Sequence, residues 1–498
     1  MPRPNFVFIM TDTQGANVLG CHNIPELQTP NLDRLAAEGV RFDHAYTTCP
    51  LCTPARGGIF TGLTPSVNGA HTNNLAPGAN IRHMGHRFEA EGYHTAYIGK
   101  WHLDGLDYFD SGICPSGWDN RYWYDGRRYL DELSDAEKRL WRQGLRTVDD
   151  LRQHGITPAF TWAHRLSDRA IDFLENRDPD KPFLLVCSYD EPHGPSTCPA
   201  EYIERFDNFL FPVGPAAGDE LADKPAHHSE WAETCNTSGN TSTRRPRYFG
   251  CNSFVDHEIG RVIDGVADHA PENTWIIFTS DHGDMLGAHR ITGKGPAMYN
   301  EITRIPFIIR PPSHACEGVV SEPVGHLDLL PTMLEAAGLE TPPILHGTSL
   351  CPVLDGARPA SWLAGRSIPI EFTRFSINHD GWGGYQPIRC IVMDDWKFAV
   401  NLLDTDEMYN LADDPAELTN LVDSPDHTDT RLRLHDALLA EMDRVRDPFR
   451  GPAWERRPWR EDPKQRWSGG YRHRPDDGFM PTTLVYNTGR PPASWVEP

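Results

Sequence analysis

No stretch of this chain is apolar for long enough to cross a bilayer. Its longest apolar runs, such as residues 6–10 and 275–278, are strand-sized, against the roughly 20 residues a spanning helix needs. A secretory leader is not expected. The first predicted strand starts at Asn5 with no charged, apolar and small-residue segment before it, so a cytoplasmic protein without membrane contact is expected. The 11 cysteines are odd in number and scattered, with no dense disulfide framework and no paired CxxC zinc pattern. Most are expected to be reduced core residues. Positive charge is in deficit, with 47 Lys and Arg against 70 Asp and Glu and a formal net charge of −23. That balance disfavours nonspecific nucleic-acid binding, and any anionic substrate must be attracted by a local cluster of cations and metal. No internal repeat is found.

What is present is an ordinary apolar and aromatic content over 498 residues, enough for a large core in one large domain plus a smaller partner. From residue 5 to about 337, short β-rich runs alternate with helical patterns, which predicts a largely parallel α/β sheet covered on both faces. Four runs, 5–10, 94–98, 183–188 and 275–279, are nearly all apolar, as doubly covered strands should be. Thr29 is placed to cap a helix opened by Pro30 and closed by Gly39, and Gly92 ends another. Residues 104–161 and 195–249 read as irregular loops over the sheet edge. From about residue 370 come short strands at 389–393 and 397–402 and a helix at 429–445, a small α+β subdomain. The expected division is therefore a catalytic domain over 1–369, the subdomain over 370–447, and a Pro/Arg/Trp-rich tail over 448–498. The tail is expected to lie extended across its own or a neighbouring subunit and to support a homo-oligomer.

In an open α/β sheet, ligands bind beyond the carboxyl ends of the strands. Polar residues stand at four such ends: Asp12 after the first run, Lys100 and His102 after the second, His193 after the third, and Asp281 with His282 after the fourth. Any one of them alone reads as a solvated loop residue. Together they form a pattern, and two carboxylates with an imidazole suit a divalent cation that substrate oxygens also bind.

Cys52-Thr53-Pro54-Ala55-Arg56, continuing as Gly57-Gly58-Ile59-Phe60-Thr61-Gly62, resembles the Cys-x-Pro-x-Arg signature of the formylglycine-dependent sulfatases. Gly99-Lys100-Trp101-His102-Leu103 resembles that family's second signature. Ser280-Asp281-His282-Gly283-Asp284, then Lys294 before Met298-Tyr299, resembles its later metal and lysine segment. Thr29 to Asp33, His326 to Thr332 and Glu407 to Leu411 also match, in order, over roughly residues 1–425. The resemblance implies an alkaline phosphatase-like fold, a large mixed, mostly parallel sheet sandwiched by helices. It implies a sulfuric ester hydrolase whose Cys52 is oxidised to formylglycine by a formylglycine-generating enzyme. One divalent ion, calcium or manganese with magnesium also credible, would be held by Asp12, Asp281, His282 and residue 52, with Thr13 as a further donor. In the family's mechanism one hydroxyl of the hydrated aldehyde attacks sulfur, and the second then expels sulfate and restores the aldehyde. Lys100 and Lys294 would neutralise the sulfate oxygens. His102 would work beside residue 52 and His193 would protonate the leaving oxygen, although in sequence the two imidazoles are interchangeable. Pro54 can open a helix whose free N–H groups favour an anion, and Arg56 can hold the modified side chain or a sulfate oxygen.

Two positions depart from the pattern. Thr13 and Gln14 follow Asp12 where many sulfatases carry a second aspartate, and His282 stands where many have asparagine. Both make calcium less secure, and both resemble the phosphonate monoester and phosphate diester hydrolases that share this nucleophile. The resemblance implies a small anionic ester or sulfated glycan as substrate, with the aromatic run at 118–125 suited either to a sugar or aryl pocket or to packing.

Overall fold

Every residue from Asn5 to Asp12 is buried, which is what a strand covered on both faces requires. The computed structural model describes residues 3–22, 24–143, 147–235, 237, 239–312, 318–376 and 384–460. The main strands are β1 (Asn5–Asp12), β2 (Val40–Phe42), β3 (His94–Gly99), β4 (Phe183–Pro192), β5 (Thr274–Ser280), β6 (Phe307–Arg310) and β7 (Gly318–Val320), and the helices used below are α1 (Pro30–Ala37), α2 (Cys52–Thr61), α3 (Trp162–Asn176), α4 (Pro246–His269), α5 (Leu329–Ala336) and α6 (Thr428–Val445). The strands form one seven-stranded sheet in the order β7-β2-β6-β5-β1-β4-β3. Its centre, β5-β1-β4-β3, is parallel, while β6 runs against both β5 and β2.

Period-two alternation divides β1 between two cores. Val7 and Ile9 pack with Leu166 and Phe173 of α3, Val255 and Ile259 of α4, and Leu32 of α1. Phe6, Phe8 and Met10 pack with Ile59 and Phe60 of α2 and Leu330 and Met333 of α5. Helices therefore sandwich a mixed, mostly parallel sheet, as expected. Thr29 does precede α1, but its hydroxyl takes the Gly20 N–H (2.8 Å) and reaches Asp33 (3.2 Å), so it does not cap the helix by its side chain.

The two insertions are less irregular than expected. Residues 104–161 carry helices Gly126–Glu132, Asp135–Gln143 and Val148–His154, the last opened by a reciprocal cap between Thr147 and Asp150, and 195–249 carries Ala226–Cys235. The aromatic run packs inward. Trp118 stacks on His83 with centroids 5.5 Å apart, and Trp123 lies 5.3 Å from Tyr97.

Four antiparallel strands, β8 (Ile368–Arg374), β9 (Tyr385–Met393), β10 (Trp396–Asn401) and β11 (Glu407–Asn410), make the C-terminal sheet. One face, with Ile370, Phe372 and Ile388, packs on Tyr46, Cys49 and Leu51, the approach to Cys52. The other, with Ile391, Phe398 and Val400, packs on Leu434 and Leu438 of α6. The start of the tail lies on its own chain: Trp454 is buried in that second cluster and Arg457 pairs with Asp406 at 2.7 Å. Residues 461–498, and any subunit contact expected of them, lie outside the described residues. The described cysteines are free, Cys49 and Cys52 included. No helix among the described residues is long and apolar enough to cross a membrane.

Candidate active site

At the carboxyl edge of the sheet the chain brings together the residues that sequence reading placed there. Asp12 is the last residue of β1, Asp281 and His282 follow β5, Lys100 and His102 follow β3, and His193 follows β4. Cys52 is the first residue of α2, which starts two residues before the Pro54 expected to open it. The ligating atoms of Asp12, Cys52, Asp281 and His282 all lie within 4.8 Å of one another, and all four residues are buried.

Starting α2 at Cys52 puts Arg56 one turn along on the same face, aimed into the sheet edge rather than outward. Its guanidinium is fully buried and donates to Asp281 Oδ2 (3.0 Å), Asp12 Oδ2 (3.2 Å), the Lys100 carbonyl (2.8 Å) and Ser188 Oγ (2.9 Å). The guanidinium thus clamps two carboxylates of the site. Thr13 adds to that clamp. Its hydroxyl donates to Asp12 Oδ1 (2.6 Å) and its N–H to Asp281 Oδ1 (3.1 Å), and with Lys294 Nζ donating to the hydroxyl at 3.4 Å one lone pair is left for a metal cation.

The electrostatics fit a divalent ion. Burial, and then the charge of Asp12, push Asp281 up to about 7. Burial also works against Asp12, but Lys100 and Lys294 overcome it and hold that carboxyl well below its usual range. His282 donates from Nδ1 to the Gly283 carbonyl (2.9 Å), which leaves the Nε2 lone pair facing Cys52 Sγ (3.3 Å) and Asp281 Oδ1 (3.5 Å). Burial and the nearby Lys294 keep that ring neutral. Two carboxylates and a neutral, oriented imidazole in a dry pocket are a set that a hard to borderline cation completes.

The cations flank this set. Lys294 Nζ lies 2.7 Å from Cys52 Sγ, 3.0 Å from His282 Nε2 and 3.6 Å from Asp12 Oδ1. Lys100 Nζ, with no exposure, lies 2.7 Å from Asp12 Oδ2 and 2.8 Å from Asp190 Oδ1. Burial and the charge of Asp12 push the Cys52 thiol up to about 11, so unmodified it is uncharged near neutrality and a weak nucleophile. His102 sits in the left-handed region (φ 55°), donates from Nε2 to Asn74 Oδ1 (2.9 Å), and leaves a buried Nδ1 with no partner among the described residues. His193 Nδ1 is likewise unpartnered, 3.8 Å from Asp190 Oδ1. Burial, then Lys100, hold both rings neutral.

Sequence reading missed Asp190 and the Asn73-Asn74 pair. Asp190 stands at the end of β4, the same signal that marked the other four places. Asn73 Oδ1 accepts the Thr53 N–H (3.1 Å) and the Asn74 N–H reaches Thr53 Oγ1 (3.3 Å), tying His102 to the first turn of α2. Nothing in the local sequence marks that tie.

The family model described as Sulfatase matches residues 4–339, and one described as N-sulphoglucosamine sulphohydrolase, C-terminal, matches 287–444. The chain belongs to the sulfatase family. It is 50% identical over 494 residues to the uncharacterized sulfatase YidJ of Escherichia coli strain K12, covering 99% of this chain and 97% of that one. In fold it is similar to BT4656, solved with its substrate D-glucosamine-2-N,6-O-disulfate, at a TM-score of 0.72 and 24% identity over 90% of this chain and 99% of the other. It is also similar to the phosphonate monoester hydrolase of Agrobacterium radiobacter, at 0.68 and 22% over 89% and 96%. This sulfatase is thus an enzyme of the alkaline phosphatase superfamily.

Proposed function

We propose that the enzyme hydrolyses a sulfate monoester of a carbohydrate or aryl alcohol at this site, with residue 52 converted to formylglycine and one divalent cation held by Asp12, Asp281, His282 and residue 52. The observation that carries the reading is the buried four-donor cluster with Lys100 and Lys294 beside it. When bound, the cation supplies charge that polarises a sulfate oxygen and the attacking hydroxyl of the hydrated aldehyde.

The chain's own residues do the rest. Lys294, nearest residue 52, and Lys100 face the oxygens on which charge develops, with Lys100 buried and Lys294 only 13% exposed, so water screens them little. Arg56 and Thr13 fix the carboxylates so that no reorganisation accompanies the reaction. His102, tethered through Nε2, keeps an unpartnered Nδ1 that can take a proton from residue 52; His193, neutral in the free site, has to gain a proton, which the bound anionic ester favours, before it passes one to the departing oxygen.

Thr13 and His282 favour one second reading, a phosphonate monoester or phosphate diester hydrolase with the same nucleophile. The deciding comparison is kcat/KM for an aryl sulfate, a phosphate diester and a phosphonate monoester on one metal-loaded preparation. The sulfate is expected to lead, with measurable side activity on the phosphorus esters. A tenfold lead for either of those, about 1.4 kcal/mol of transition-state preference, hands the assignment to the second reading. On co-production with a formylglycine-generating enzyme, the peptide holding residue 52 should be lighter than its cysteine form, and Cys52→Ala should be inactive. An alanine variant that retains turnover removes the nucleophile assignment.

A further inference from the structure

Lys100 is sealed from solvent partly by an aromatic ring. Tyr108, from the insertion after β3, is half-buried with its ring centroid 5.1 Å from Lys100 Nζ and 5.6 Å from the His193 ring. On the other side of Lys100, Asp190 Oδ1 accepts its ammonium, while Asp190 Oδ2 accepts no hydrogen bond among the described residues although the carboxylate is only 9% exposed. Beside Tyr108 stands one more carboxylate, the exposed Asp107.

The departing oxygen must meet His193, so the alcohol half of the ester has to lie against whatever surrounds that imidazole. What surrounds it is the Tyr108 ring face and the Asp190 carboxylate, whose Oδ1, 3.8 Å from His193 Nδ1, is taken by Lys100 and whose Oδ2 accepts no hydrogen bond among the described residues. A ring face takes a ring. A nearly buried acceptor penalises any ligand that brings no donor, because binding then strips its remaining water without replacement. The carboxylates of Asp107 and Asp190 beside Tyr108 also repel a second anionic group on the alcohol.

Resting on the sulfatase reading, we propose that Tyr108 and Asp190 seat the alcohol half of the ester and select a ring that bears hydroxyl or ammonium donors and no second sulfate, that is, a monosulfated sugar. A bare cyclic alcohol sulfate and a polysulfated chain are both disfavoured.

The test is calorimetric binding of intact esters to the Cys52→Ala protein loaded with manganese, so that affinity is read without turnover. The probes are methyl glucoside monosulfates of each regioisomer, cyclohexyl sulfate, a methyl glucoside disulfate and ethyl sulfate. The best monosulfate should bind at least tenfold tighter than cyclohexyl sulfate and than the disulfate. Adding Asp190→Ala should bring the sugar-to-cyclohexyl ratio below threefold, a ratio that cancels any common loss from a displaced Lys100. Tyr108→Ala should weaken both ring esters tenfold relative to ethyl sulfate. Cyclohexyl sulfate binding as well as the sugars overturns the seat, as does a ratio that Asp190→Ala leaves unmoved; the first readout needs no variant beyond Cys52→Ala. Turnover by the formylglycine enzyme is measured separately. The binding order without sulfate hydrolysis overturns the reaction assigned to the site and leaves the seat standing.

Discussion

At the scale of single residues, the site is set by what holds the carboxylates rather than by the carboxylates themselves. Arg56 spends its fork on Asp12, Asp281 and two acceptors from β3 and β4, a geometry a lysine cannot copy with one ammonium. Arg56→Lys should therefore cost about 3–5 kcal/mol of stability, the range for a broken buried ion pair, and lower kcat/KM at least about 100-fold. Denaturant titration and steady-state kinetics check both, and a variant as active as the parent would show that the clamp does not organise the metal set. Thr13 offers the opposite case. It is β-branched in the left-handed region, at φ 64°, with its hydroxyl on Asp12 and Lys294 Nζ 3.4 Å from the same oxygen. Aspartate tolerates that backbone better, adds an anionic oxygen, and finds a cation already within reach. Thr13→Asp should tighten divalent-metal binding, calcium most. Calorimetric titration with calcium, manganese and magnesium checks the order, and an equal gain for all three would argue against position 13 as a donor.

Among the elements, the central strands were legible because a doubly covered strand is an unbroken apolar run, and polar residues just past such runs stand out. That argument also placed Asp12, Lys100, His193 and Asp281. It applies equally to Asp190, which was overlooked although β4 reaches past it to Pro192. The start of α2 was misread because Pro54 is the usual marker of a first turn, whereas the helix begins at Cys52 behind Leu51 with no side-chain cap. The helices within 104–161 were hidden by polar and aromatic composition. Asn73 is illegible for a different reason: it bridges to Ser376, some three hundred positions away, and only the folded chain brings them together. The end of β3 carries a prediction of its own. Gly99 has φ 115°, and a Cβ there would stand 1.9 Å from the Ser188 carbonyl oxygen, on the strand that holds Asp190. Gly99→Ala should push β3 from β4, shift Lys100, and cut kcat/KM by about 100-fold or more, the scale a 1 Å misplacement can reach. Gly92 also has positive φ, at 85°, but nothing lies within 4 Å of its Cβ position. Gly92→Ala should cost only about 1–2 kcal/mol of backbone strain and leave kcat unchanged. Similar kinetics for the two variants would mean that strand contact at Gly99 does not position the lysine.

For the whole molecule, a formal charge of −23 surrounds a site lined by Arg56, Lys100 and Lys294, so long-range attraction of anions is weak and selectivity rests on contact. The interior also carries many neutral imidazoles, and these set the response to acid. Burial lowers His83, His326 and His346 from 6.5 to about 3, and His22 and His435 to about 4. Near pH 5 the unfolded chain protonates these five while the native chain does not, so the unfolded state binds more protons and stability rises with pH. Asp256, raised by burial to about 7, and Glu191, raised by burial to about 8, act in the opposite sense, since there the native state holds the extra proton. Asp281 and Asp110, also raised by burial, join that second set, and His102, His193, His228 and His282, held by burial well below their usual range, join the first, so the unfolded state still binds more protons near pH 5. The melting temperature should therefore fall steeply as pH is lowered from 7 to 5, and calorimetry at half-unit steps reads the slope. His346 isolates one of these protons, because its Nδ1 accepts the Thr64 N–H (3.0 Å) and an asparagine oxygen can accept it too. His346→Asn should keep the neutral-pH stability within about 1–2 kcal/mol and make the acid slope shallower by one proton. A melting temperature that holds or rises on acidification, or an unchanged slope in His346→Asn, would show that the buried histidines do not govern the acid limit of the fold.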